Sequence, residues 1–271
     1  MPRQVDFMPG SSAGITAWLA WLAMNTTNPQ RFMQFAARNF ASTAVAALMG
    51  CSANAPSVKV EERQSGAEFQ SEFGLEQRNL ATTGRNAFFV LEPGFQLELA
   101  NDDTKLTITV LDETKQIGGV TARVVEEREE EKGLLVELSR NYFAIDSLTN
   151  DVFYFGEDVD VFKNGKLSGH PGVWLAGQNG ARAGLVAPGT PRVGMRYFQE
   201  YAPKVALDCA EVVDVALTLK TPAGEFKDCL RTHESTGLDK HESEYKVYAR
   251  DIGLIQDEDL LLVRFGNTHT R

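Results

Sequence analysis

The sequence predicts a mainly β domain, an antiparallel sandwich or an open barrel built from two meander-like halves. Three observations support this class. Between residues 86 and 271, short segments alternate apolar and polar residues, as antiparallel strands with one buried face do. The segments end at Gly, Asn, Asp or Pro, and Asn164-Gly165 is typical of a type I′ hairpin turn. A weak internal repeat recurs at an offset of 105 residues.

The repeat predicts two halves, about 86–168 and 185–265, that face each other or join edge to edge. Each half is expected to end in a third strand, 152–162 in the first half and 254–263 in the second. Chance similarity among β hairpins is the alternative explanation. The repeat rests on these matched pairs: Lys115 and Lys220, Gly119 and Gly224, Phe143 and Tyr248, Ala144 and Ala249, Asp146 and Asp251.

Alternation within single segments predicts which side chains share a face. In the segment 244–250, one face should carry Tyr245, Val247 and Ala249, and the other should carry Glu244, Lys246 and Tyr248. In the segment 153–158, the same rule places Phe153 and Phe155 opposite Gly156 and Asp158.

Residues 33–50 have the form of an export signal that ends at Cys51. Arg38 precedes an apolar run over residues 40–49, and small residues follow. The run is too short for a membrane span, which needs ~20 helical residues. The segment 48–51 resembles the bacterial lipoprotein signal, which implies that Cys51 is acylated and becomes the mature N-terminus. An ordinary cleaved signal and a buried helix are the alternatives.

The flanking segments complete the predicted domain plan. Residues 1–32 contain a second apolar run and are interpreted as an upstream extension with a mis-assigned start near Met33, or as an additional membrane-seeking segment. Residues 51–78 are polar and are expected to form a lipid-attached flexible tether. Residues 79–271 should form the β domain, held at the periplasmic face of a bacterial membrane or at the cell surface.

Composition restricts the partners. After Cys51 the chain carries 24 basic and 36 acidic residues, a net charge of about −12. This balance argues against nucleic acid, which requires clustered Lys and Arg. The expected partners are the membrane, through the anchor, and a small-molecule, glycan or envelope-protein ligand. No cofactor is predicted.

The cysteines and histidines offer one candidate pairing. Cys209 and Cys229 follow Cys51 and lie in strand-like segments on either side of a turn near residue 222, so a cross-strand disulfide is one expectation and two free thiols the other. No Cys or His pair has zinc-ligand spacing, and the four histidines, at 170, 233, 241 and 269, are scattered.

The search for catalytic motifs is negative, and the prediction is a protein without enzymatic activity. After Cys51 the chain has no G-x-S-x-G, H-E-x-x-H or phosphate-loop pattern. The carboxylates of Glu157, Asp158 and Asp160 are a weak candidate Ca²⁺ site. Because alternation places Glu157 on the opposite face, a solvated strand edge is the favoured interpretation.

A long Gly- and Pro-rich segment, residues 169–194, is the second candidate site. Its ligand-binding residues would be Trp174, Gly177, Gln178, Asn179 and Gly180, with Trp174 offering a flat face and the amides offering hydrogen bonds. The alternative is a crossover between the halves in which Trp174 packs on the core.

Several segments, at 86–94, 152–158, 172–177, 199–203 and 221–226, together resemble a widespread family of uncharacterised secreted or lipid-anchored bacterial proteins. The resemblance implies export and a β fold, and it assigns no catalytic residues. The expected function is a non-catalytic binding or structural role in the cell envelope. The alternatives are a carrier of a lipid or other apolar ligand in a half-open barrel, and an envelope hydrolase with an unrecognised site.

Overall fold

The computed structural model describes residues 68–268, and this part of the chain is almost entirely β. One short 3-10 helix, Leu75–Gln77, precedes the strands. The strands are β1 (Leu80–Ala81), β2 (Gly84–Asn86), β3 (Phe89–Leu91), β4 (Phe95–Ala100), β5 (Thr104–Ile117), β6 (Val120–Glu131), β7 (Leu134–Asp146), β8 (Val152–Lys163), β9 (Lys166–Gly169), β10 (Trp174–Leu175), β11 (Arg182–Ala187), β12 (Arg196–Phe198), β13 (Glu200–Tyr201), β14 (Asp208–Thr221), β15 (Gly224–Thr236), β16 (Ser243–Ala249), β17 (Gly253–Asp257) and β18 (Leu260–Asn267).

Sixteen of these strands form one antiparallel sheet that is nearly closed into a barrel, and β2 and β3 form a small second sheet. The main path runs β12-β14-β15-β16-β17-β18-β4-β5-β6-β7-β8-β11-β13. It contains two meanders, β4 to β8 and β14 to β18, which join edge to edge where β18 pairs with β4. The prediction of a mainly β fold with two meander-like halves is confirmed, in its barrel form.

The chain itself joins the two ends of this sheet. Strand β12 pairs with β14 at one end, and β13 pairs with β11 at the other. Only Gln199 separates β12 from β13, and its backbone N–H donates to the Asp208 carbonyl oxygen at 2.7 Å. Gln199 and the adjacent Glu200 are therefore held at the seam where the barrel closes.

The offset of 105 residues describes the strand bounds of the two meanders. Shifted by 105 residues, β5 and β6 coincide with β14 and β15 to within one residue at each end. The third strand of the first half is observed as β8, but that of the second half is not a single strand. The segment forms the hairpin β17-β18, which turns at Glu258 with a positive φ of 49°. The expectation of one strand over 254–263 was wrong because consecutive acids at 257–259 form this turn.

In the first meander, the two faces of the sheet carry residues of two different apolar clusters. On β6 and β7, Val125 and Phe143 belong to the cluster inside the barrel, whereas their neighbours Val124 and Tyr142 belong to a cluster on the other face. The outer cluster also receives Phe73, whose ring lies 5.8 Å from that of Phe153. Strand alternation therefore decides which of these side chains face the barrel interior. The chain before β1 covers part of the outer face.

The predictions for the N-terminal region fall mostly outside the described residues. Cys51, the export signal 33–50, the extension 1–32 and residues 51–67 of the predicted tether all lie there. The described end of that tether is packed: Phe73 is buried, and Arg78 forms ion pairs with Asp146 and Asp151. In residues 68–268, no helix has the length and hydropathy needed to cross a bilayer.

Candidate functional site

The barrel encloses a cavity of about 150 Å³ that has an apolar end and a polar end. Strands β4, β5, β6 and β7 supply most of the apolar end, because their inward positions carry aliphatic or aromatic side chains. The principal apolar residues that line it are Phe89, Phe95, Leu97, Leu106, Ile108, Val110, Val125, Phe143, Leu254 and Leu260.

The polar end begins where the inward-facing residues of the same strands change from apolar to acidic. On β6, Val125 is followed two and four residues later by Glu127 and Glu129, which keep the same face. Glu129 lies directly opposite Glu137 on β7. The polar residues that line this end are Glu127, Glu129, Glu137, Asn141, Tyr154, Gln199, Glu200, Glu244, Lys246, Tyr248, Asp257 and Glu258.

Lys246 is the only base among the described residues that line the cavity. Its side chain is 6% exposed, and its ammonium lies 3.1 Å from Asp257 Oδ2 and 3.3 Å from Glu244 Oε1. Burial opposes the charged form, but Asp257 and Glu244 outweigh it and raise the pKa of Lys246 well above its usual value. The ammonium is thus already engaged by two carboxylates.

Several carboxyls at or near this end bind their protons tightly. Burial raises the pKa of Glu127 to about 7 and the pKa of Glu244 to about 8, with Lys246 opposing the shift in both cases. Burial also raises the pKa of Glu157 and of Glu200 well above the ordinary value. Near neutral pH several carboxyls at this end are therefore protonated for much of the time.

A bulge in β8 turns Glu157 toward the interior. Phe143 pairs with Tyr154, but the next ladder partners are Asn141 and Glu157, so β8 carries an extra residue at this point. Gly156 lies there with φ of 132°, and a Cβ on it would lie 2.2 Å from the Trp174 carbonyl oxygen. Because of the bulge, Glu157 shares the inner face with Tyr154 and is 2% exposed.

Polar side chains line up along this inner face. The Tyr154 hydroxyl donates to Asn141 Oδ1 at 2.5 Å, and the Asn141 amide donates to Ser139 Oγ at 3.2 Å. The second carboxylate oxygen of Glu157, Oε2, has no hydrogen-bond partner. The donors of this network are therefore consumed internally, while an acceptor is left over.

The barrel seam places Gln199 and Glu200 beside this network. Trp174 Nε1 donates to Glu200 Oε2 at 2.9 Å, and both residues are buried. Gln199 is 2% exposed, lines the cavity, and leaves its Oε1 without a hydrogen-bond partner. Gly184 lets this segment approach closely, since a Cβ there would lie 2.0 Å from the Gln199 carbonyl oxygen.

The structure separates the residues of the candidate ligand loop. Trp174 is 5% exposed, belongs to the inner apolar cluster and packs edge-on against Tyr154 at 5.4 Å between ring centroids. Gly177, Gln178, Asn179 and Gly180 form an exposed turn between β10 and β11. The buried position agrees with the alternative in which Trp174 packs on the core, and the turn residues do not join it in a common site.

The three carboxylates of the candidate Ca²⁺ site point to different partners. Asp158 Oδ2 accepts hydrogen bonds from Lys115 Nζ at 2.7 Å and from the Tyr142 hydroxyl. Asp160 contacts His170 at 2.7 Å, and Glu157 faces the interior. In residues 68–268, no group of three or more His, Cys, Asp or Glu side chains has an arrangement that could hold a metal ion.

The two described cysteines are not opposite each other. Across the β14-β15 ladder, Cys209 pairs with Ser235 and Cys229 pairs with Leu217, and both thiols are free. The β14-β15 turn lies closer to Cys229 than to Cys209, so the hairpin does not bring the two residues opposite each other. This register does not support the bridge.

Sequence reasoning did not identify the cavity residues as a site. It correctly placed Glu244, Lys246 and Tyr248 on one face, and all three line the cavity. It correctly placed Glu157 opposite Asp158, but it placed Asp158 opposite Phe153 and Phe155, because simple alternation ignores the bulge that puts Asp158 on their side. Gly156 within a strand was the available signal, since a glycine there often marks a bulge.

A scan of protein-family models, a search of curated proteins and a search of solved structures each found no match to this chain.

Proposed function

We propose that this protein is an exported, lipid-anchored cell-envelope protein that binds a small amphipathic molecule inside its barrel without chemically altering it. The observation that carries the proposal is the cavity of about 150 Å³, which is apolar at one end and acidic at the other. Binding sites for small molecules are typically concave and mostly apolar, with a few polar groups that fix the orientation of the ligand.

The volume of the cavity limits the ligand. An apolar cavity of about 150 Å³ accommodates a molecule of the size of benzene. The cavity here has that volume over both of its ends, so it has room for one ring or a short branched chain with a small head group, whereas a complete lipid acyl chain exceeds this volume. Of the carrier functions expected from the sequence, transport of a small apolar or amphipathic molecule is favoured over transport of a lipid.

The environment of the buried acids supports binding over hydrolysis. Burial raises the pKa of Glu157 and of Glu200 well above the ordinary value, and Glu157 adds to the shift of Glu200, so both favour the neutral form. Hydrolysis by a carboxyl pair requires one neutral acid and one ionised base or nucleophile, set apart by their environments. This pair has the same protonation state at both positions, which suits holding a polar group in place.

Toluene tests the proposed cavity. The full chain should bind toluene, seen as saturation-transfer NMR signals and a concentration-dependent rise in Tm. Ile108→Trp places a larger side chain into the apolar end and should abolish toluene binding. Thr107→Trp is the matched control, because Thr107 is the adjacent residue of β5 and does not line the cavity. The proposal fails if toluene does not bind the unmodified protein, or if both variants bind it equally.

The anchor is tested separately at Cys51. In a bacterial host, Cys51→Ser should leave the domain folded but move it from the membrane fraction to the soluble exported fraction, because acylation requires the thiol. Fractionation followed by mass spectrometry of the N-terminal peptide measures both properties. Recovery of the serine variant in the membrane fraction would contradict lipid anchoring and leave the cavity proposal untouched.

A further inference from the structure

We infer that the acidic end of the cavity selects ligands with a cationic amine head group, an inference that rests on the proposed function and narrows its ligand class. The first reason is charge. Seven carboxylic side chains and one ammonium line this end. The ammonium of Lys246 is already paired with Asp257 and Glu244. The acids whose pKa burial raises can ionise against an entering cation, whereas an anion finds no further base among the described residues that line the cavity.

Gln199 provides an independent reason. Its side chain is buried, lines the cavity and carries an Oε1 with no hydrogen-bond partner. An unpartnered buried acceptor is destabilising, because it has lost its hydrogen bonds to water without replacing them. A ligand that donates a hydrogen bond to Oε1 recovers this cost, so the side chain points to a donor on the ligand.

The balance of donors and acceptors favours an ammonium over a hydroxyl. The fixed donors near Gln199 are already used: the Trp174 indole N–H by Glu200, and the Tyr154 hydroxyl by Asn141. A primary ammonium brings three donors and no acceptor, whereas a hydroxyl brings one donor and two acceptor sites. The ammonium therefore satisfies the free oxygens without adding a further unsatisfied acceptor.

The local dielectric strengthens this preference. Gln199 and Glu200 are 2% and 4% exposed, so charges meet at this end with little water between them. Charge pairs interact several times more strongly in such surroundings than in bulk water. An anionic head finds its natural partner, Lys246, already engaged, and it would keep the buried acids protonated instead of pairing with them.

Three ligands of matched shape test the inference: benzylamine, benzyl alcohol and benzoate. Their affinities for the full chain are compared by isothermal titration calorimetry at pH 7.5, with toluene as the reference. Benzylamine should bind at least ten-fold more tightly than benzyl alcohol, and benzoate should not bind measurably. Benzyl alcohol binding as tightly as benzylamine would overturn the inference, and so would a preference for benzoate.

A variant of Gln199 tests whether the preference for an amine arises from this side chain. Gln199→Met keeps the length of the side chain but removes the acceptor, and it should weaken benzylamine binding at least five-fold more than it weakens toluene binding. Gln178→Met, on the exposed turn, is the control and should change neither affinity. Equal benzylamine affinity in both variants would overturn the assignment, and should Gln199→Met not fold, the comparison of the three ligands decides.

The outcomes separate the two proposals. If toluene binds and benzylamine binds no better than toluene, the selectivity for amines is refuted and the binding function stands. If toluene does not bind the unmodified protein, the proposed function itself is refuted.

Discussion

Raising the pH from about 5 to about 9 is expected to lower the free energy of unfolding by several kcal/mol. Burial raises the pKa of Glu127 to about 7 and of Glu244 to about 8, compared with the value of 4.5 expected for an exposed glutamate. Between these values the folded protein holds protons that the unfolded chain has released, so stability falls as pH rises. A pKa difference of one corresponds to about 1.4 kcal/mol.

Other titrating groups do not mask this fall in the free energy of unfolding with rising pH. The pKa values of Glu92, Glu130, Asp146 and Asp158 are lowered, so these carboxyls are ionised in both states above pH 5. Their contribution to stability is lost only in more acidic solution. Lys246, whose pKa is raised, contributes stability that is lost only at pH values above the usual lysine range. The window between pH 5 and pH 9 therefore reports on the buried acids.

Glu244→Gln provides the direct test. The variant removes one buried ionisable group and should be more stable than the unmodified protein at pH 9, with a shallower dependence on pH. Glu92→Gln is the control, because Glu92 is an exposed carboxylate paired with Arg85 and should not affect the slope above pH 5. Urea unfolding at pH 5, 7 and 9 measures each slope. Stability that stays constant or rises over this range would contradict the assignment of buried, protonated acids.

Gly156→Ala is expected to destabilise the protein by at least about 3 kcal/mol. The added Cβ would lie 2.2 Å from the Trp174 carbonyl oxygen, and the backbone φ of 132° is strained for any residue other than glycine. The backbone must therefore move at the bulge of β8, and Glu157 moves with it. Chemical denaturation measures the loss of stability.

Gly177→Ala separates the clash from the backbone strain. Gly177 also has a positive φ, of 86°, but a Cβ there would meet no atom within 4 Å. Its substitution should cost only about 1 kcal/mol. Similar losses in the two variants would mean that close packing of β10 on β8 is not what requires glycine at position 156.

Local sequence patterns were sufficient to predict several of the strands. The alternation at 244–250, the hairpin signal at Asn164-Gly165 and the repeat at 105 residues correspond to β16, to the β8-β9 turn and to the paired meanders. These features depend on neighbours in sequence, because side chains in a strand alternate in direction with a period of two. A mainly β fold in two halves, with Glu244, Lys246 and Tyr248 on one face, could therefore be read from the chain alone.

The site required the tertiary structure. Alternation assigns residues to two faces but cannot say which face is enclosed, and here the face with Glu244 and Lys246 lines the interior. The seam that brings Gln199 beside the buried acids joins strands that are far apart in sequence, and the bulge at Gly156 reverses the orientation of Glu157. The sequence thus determined strand positions through short-range periodicity, while closure of the barrel decided which polar side chains meet, because that depends on long-range pairing and register.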